Sequence, residues 1–169
     1  MRITRYPNLS APQFYGCVAA FLDALAGELN AASAALRRLE GQPKGGAFAY
    51  EMTLDRHRYG ALIVLDRWAT TVEAFGPHLE LPRYAGIVEH AAGRVRDAQQ
   101  ILERANQLID AADHYSSDVL EACLVAWQLL AATFQEERRE AEESAKLGPL
   151  LPEEYREARR IFAEDLAAR

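Results

Sequence analysis

From Tyr84 to Ala112 the chain repeats a single spacing. Tyr84, Val88, Ala91, Val95, Ala98, Leu102, Ala105, Ile109 and Ala112 follow one another at steps of 4, 3, 4, 3, 4, 3, 4 and 3. A strand turns its side chains over at every residue and cannot keep such a set on one side, whereas a helix can. The heptad therefore predicts a helix over 82–113. Four of its seam positions, Ala91, Ala98, Ala105 and Ala112, are thinned to methyl groups, so a neighbouring helix can approach closely. Ile87, Ile101 and Leu108 widen the stripe from a two-stranded seam to the face of a bundle.

The flanking segments read the same way. Phe14, Val18, Phe21, Leu25, Leu29, Ala32, Leu36 and Leu39 step by 4, 3, 4, 4, 3, 4 and 3, which predicts a helix over 12–40 after an extended segment, 1–11. Ser10 can cap it and Pro12 suits its first turn. The breakers "GQPKGG" end it. A second helix is expected over 47–75, with Tyr59, Leu62, Ile63, Leu65, Trp68, Val72 and Phe75 on a wide apolar face. The alternation in 47–53 also admits a short extended start. A fourth helix is expected over 117–147, opened by Ser116, Ser117 or Asp118. A shorter one over 152–168 carries Tyr155, Ala158, Ile161, Phe162 and Leu166 on one side.

Long helices joined by short loops make consecutive neighbours antiparallel. The expected architecture is all-α: a single domain, residues 1–169, forming an up-down-up-down antiparallel four-helix bundle with a shorter fifth C-terminal helix. In that arrangement Cys17 and Cys123 fall at opposite ends, too far apart to bond, and both are expected to be free buried thiols.

The fourth helix raises a problem of its own. Within 119–134 only Glu121, Gln128 and Thr133 interrupt apolar or small residues. A bundle helix needs one apolar stripe, and this one has apolar side chains almost all round. The surplus face comprises Val119, Leu124, Val125, Trp127 and Leu130, or Leu129 in place of the last. Two covers are expected for it: the C-terminal helix folding back over it, and a second copy of the chain. Leaving several such side chains in water would be costly and adhesive, since each large one stabilises by roughly 1.5–3 kcal/mol when buried.

Charge and composition remove several classes of function. Residues 1–75 hold eight Lys/Arg against seven Asp/Glu and residues 76–169 hold eleven against eighteen, so the net charge of −6 comes from the second half. Such a balance disfavours nucleic acid, whose binding depends on neutralising phosphates. The longest apolar run, sixteen residues with Glu121 inside it, falls short of the ~20 that a bilayer requires. No membrane span is expected, and with Arg5, Pro7, Asn8 and Gln13 breaking up the N-terminus a cytoplasmic location is.

Folding the chain as a bundle gathers ligand-type residues at one end. Glu51 and Asp55 share a face of the second helix. Asp110, Asp113 and His114 sit at the end of the third, and His57 is near. Carboxylates and imidazoles on facing helices are how bundles hold divalent metals, so these six form a candidate metal set for a metal-dependent hydrolase or oxidase. No nucleophile motif, Gly-rich phosphate loop or haem-attachment motif is present. The leading expectation is a non-enzymatic bundle without a cofactor, acting through protein association, either with itself or as a subunit of a larger assembly. The metal enzyme is the alternative. A small all-α subunit of a nucleoprotein complex, using the Arg pairs, is the second alternative.

Overall fold

The computed structural model describes residues 11–75, 82–145, 160–164 and 166–168. The fold is all-α. Four long helices, α1 (Ala11–Arg38), α2 (Phe48–Phe75), α3 (Pro82–Ala111) and α4 (Ser117–Ala145), are followed by a short C-terminal helix. The helix α2 begins at Phe48, so the extended start entertained for 47–53 does not form. The N-terminal segment 1–10 and residues 152–159 lie outside the described residues. In the ring of helices α1 packs on α2 and α4, and α3 packs on the same two, which is the up-down-up-down order. A helix of 28 residues, the length of α1, spans roughly 42 Å at 1.5 Å per residue.

Sequence spacing accounts for the interior. Val18, Phe21, Leu25, Leu29, Ala32, Leu36 and Leu39 of the first stripe are all buried, and so are Val95, Ala98, Leu102, Ala105 and Ile109 of the heptad. At the end where α1 starts, Phe21 stacks on Trp68 with ring centroids 4.8 Å apart and meets the edge of Phe134 at 4.9 Å. Phe162 of the C-terminal helix closes this cluster, 6.4 Å from Phe21 and 6.1 Å from Trp68. Such edge-to-face and stacked pairs contribute beyond the area they bury, about 0.5–1.5 kcal/mol each.

The C-terminal helix therefore lies on α1 and α2. Its Ala163, Leu166 and Ala167 line a groove whose other wall is Ala20, Ala24, Gly60 and Ile63. The expectation that it folds over α4 is corrected: Phe162 finds its aromatic partners on α1 and α2, and the described turns go with it.

At the opposite end two loops are clasped together. Gly41 and Gly45 take the left-handed conformation, φ 76 and 80, which only glycine adopts without strain. The α1–α2 loop can then turn its amides outward: Gly41 N–H donates to the Tyr115 carbonyl at 2.7 Å and Lys44 N–H to the Asp113 carbonyl at 3.0 Å. In return Tyr115 N–H donates to the Gln42 carbonyl at 2.9 Å. Pro43 and His114 thus form a single antiparallel bridge between the loops.

Cys17 and Cys123 are free and buried. Burial pushes the Cys17 thiol up to about 12 and the Cys123 thiol up to about 11, so neither is a reactive thiolate at neutral pH. Two stretches, Gly16–Arg38 and Ser117–Glu136, are long and apolar enough to cross a membrane by length and composition.

Candidate functional site

The outer side of α3 and α4 carries the candidate site. Within α4 the residues Leu120, Cys123, Trp127, Leu130 and Phe134, at steps of 3, 4, 3 and 4, are the ones turned inward and buried. Trp127 is 2% exposed and Leu130 0%. Both were assigned to a partner-facing surface; they belong to the chain's own core. Val119 and Leu124 are partly buried against that core. Val125 keeps its place on the outer face at 57% exposure, and Leu129 joins it at 56%. A groove of about 450 Å³ runs beside them, floored by Ala105, Ala122 and Ala126 and walled by Ile101, Leu108 and Leu129. Of these alanines Ala105 belongs to the heptad's thinned seam and Ala122 and Ala126 to α4: where two alanine-bearing helices approach, their outer edges leave a trough. Asp97 and Arg104 stand on its α3 rim.

How little of α4 the bundle covers is clearest against α1. Of the most apolar window of each helix, 44% is buried in α1 and 28% in α4. Leu108, 42% exposed, extends the apolar surface onto α3.

The polar end is organised differently from a metal centre. Arg58, only 5% exposed, sits between Asp55 and Asp110, with Nε at 2.8 Å from one and Nη2 at 2.6 Å from the other. Its guanidinium also covers the Tyr59 ring at 4.5 Å. The bond from Arg58 is the main reason the Asp110 carboxyl is held below its ordinary value. Burial alone would lower the Arg58 pKa, but bonds to Asp110 and Asp55 outweigh it and raise the value. Glu51 accepts from the Gly45 amide at 2.8 Å and the Tyr115 hydroxyl at 2.9 Å. These two bonds, the amide's first, favour its charged form.

His57 turns the other way and pairs with Glu28 of α1 at 2.7 Å. Glu28 reaches there because Gly60 has no side chain; a Cβ at that position would lie 2.7 Å from its carboxylate. Asp113 and His114 contribute main-chain groups to the loop clasp. The six proposed ligands therefore do not converge. Among the described residues no three His, Cys, Asp or Glu side chains are grouped as a metal site needs. The physical reason is Arg58: a fixed cation occupies the position between the carboxylates that a metal ion would take.

Sequence reasoning missed a second exposed apolar stripe. Phe48, Met52, Tyr59 and Ile63, 72, 56, 45 and 45% exposed, run down one side of α2. Tyr59 and Ile63 belong to the wide apolar face expected of this helix, and Phe48 and Met52 extend it outward. The signal was present in the spacing, since α2 has apolar residues on more than one side, and one of those sides had to face out.

Comparison with family models, with curated proteins and with solved structures finds no match to this chain.

Proposed function

We propose that this chain is a non-enzymatic association protein whose working surface is the outer face of α3 and α4, and that self-association is its first form. One observation carries the reading. Leu129 and Leu108 stand half-exposed on the walls of an apolar groove between α4 and α3, with Val125 exposed nearby on α4, the helix whose most apolar window is the less buried of the two compared. Apolar side chains at that exposure each stand to gain about 1 kcal/mol on being covered, roughly half the value for full burial. Clustered around a trough, they make a patch of the kind that marks protein interaction sites.

The polar end supports the same reading. Its carboxylates are committed to Arg58, to the Gly45 amide and to Tyr115, and the bonds they make hold helices and loops together. Light scattering tests the proposal. The wild-type chain is expected to weigh more than one copy in a concentration-dependent way, and Val125→Glu with Leu129→Glu to reduce it to a single copy with unchanged helix content. A wild-type mass of one copy at every accessible concentration removes self-association.

A further inference from the structure

We infer that the occupant of the α3–α4 face is a second copy of this chain, related by a two-fold axis lying across both helices at the level of Gln100–Ile101 and Val125–Ala126. The inference rests on the association reading above and adds its geometry.

The two levels coincide. Cys123 Sγ lies 3.5 Å from the Ala105 carbonyl oxygen, and Ala122 and Ala126 of α4 line the same groove as Ile101 and Ala105 of α3. Residue numbers on the two antiparallel helices therefore sum to about the same value at each height. The midpoint between Val125 and Ala126 falls within about two residues, ~3 Å, of the level of the midpoint between Gln100 and Ile101. One axis can serve both helices.

About that axis each helix meets its own copy running antiparallel, and residues equidistant from the midpoint come together. On α3, Asp97 and Arg104 are seven apart, on the same side of the helix and equally far from Gln100–Ile101, so each Asp97 meets the other copy's Arg104. Among the described residues neither holds an ion pair within its own chain. The same operation fits large side chains to small ones. Leu129 falls over Ala122 of the other copy, and the two Val125 side chains meet at the axis. On α3, Leu108 falls over Gly93, where an added Cβ would touch nothing within 4 Å. Self-complementarity in both charge and shape is what an isologous interface requires.

The α2 stripe does not pass this test. Phe48 and Ile63, like Met52 and Tyr59, are symmetric about the midpoint of Asp55 and Arg56. An antiparallel pairing there brings Asp55 to the axis, within one residue of its own copy, and Asp55 is already bound to Arg58.

Sedimentation of single and mixed variants decides the matter. Asp97→Arg and Arg104→Asp, both at exposed positions, are each expected to weaken the dimer about tenfold or more, because two like-charge contacts replace two ion pairs. Mixed in equal amounts, the two variants are expected to recover the wild-type mass, since one copy then carries both arginines and the other both aspartates. Gly93→Leu provides a second arm: it is expected to keep or raise the melting temperature, having open space around it and a better helix former in place of glycine, while abolishing the dimer. Failure of the mixture to recover, or a Gly93→Leu chain that dimerises as wild type does, overturns this geometry. If Val125→Glu still dissociates such a chain, association through the face survives. A wild type of single-copy mass overturns both.

Discussion

Arg58 shows how a residue's neighbours decide what its chemistry is for. Asp55 and Asp110 have the residue types and facing positions of metal ligands, and that much was legible in the sequence. Spacing does not reveal that a guanidinium from the same helix as Asp55 reaches between them. The consequence is structural and can be read in pH. Asp110 and Glu51 have folded pKa values below their ordinary 3.8 and 4.5. Each therefore contributes stability that is present above the ordinary value and is lost as pH falls through the folded one. Melting temperature is expected to hold from neutrality to about pH 4.5 and to fall below it, and Asp110→Asn is expected to flatten the acid side of the curve; an unchanged acid limb would contradict that account. Asn106 is the opposite case. It is 6% exposed, and neither end of its side-chain amide has a hydrogen-bond partner among the described residues. A buried polar group left unsatisfied costs about 1–3 kcal/mol, so Asn106→Leu is expected to raise stability by about 1 kcal/mol in chemical denaturation, whereas most core substitutions lower it.

At the level of the helix, legibility depended on contrast. In α1 and α3 most outward positions are polar or small, Leu108 being the large exception, so the regular apolar stripe faces inward, and every described seam residue from Val95 to Ile109 is buried. Over 119–134 of α4 nearly every position is apolar or small, and the pattern could not say which stripe was inner. Trp127 drew the wrong assignment for that reason: it is large enough to be either an anchor for a partner or the centre of a core, and the structure makes it core. The two stripes now make opposite forecasts. Leu130→Glu, placing a charge at a fully buried position, is expected to prevent folding, while Val125→Glu, five residues earlier on the outer face, is expected to leave the circular dichroism spectrum intact. The C-terminal helix yields a second forecast. Phe162 is fully buried between Phe21 and Trp68, so Phe162→Ala is expected to cost about 3 kcal/mol, with amides of 160–167 losing protection against hydrogen exchange first.

For the molecule as a whole, helix number, order and direction followed from loop length and spacing, because short connections leave a bundle few alternatives. What the spacing could not supply was the position of the last helix, which depends on which groove accepts Phe162, and the bond pattern between loops far apart in sequence. That pattern has a bearing on how the chain is held together. The α1–α2 and α3–α4 loops share three main-chain hydrogen bonds and a bridge, so the two helical hairpins are joined at that end by something other than the peptide link between Phe75 and Pro82. Severed at that link, the chain should behave as two halves with matched surfaces: pieces ending and beginning there, produced separately and mixed, are expected to reassemble into one helical particle with the intrinsic fluorescence of the intact protein.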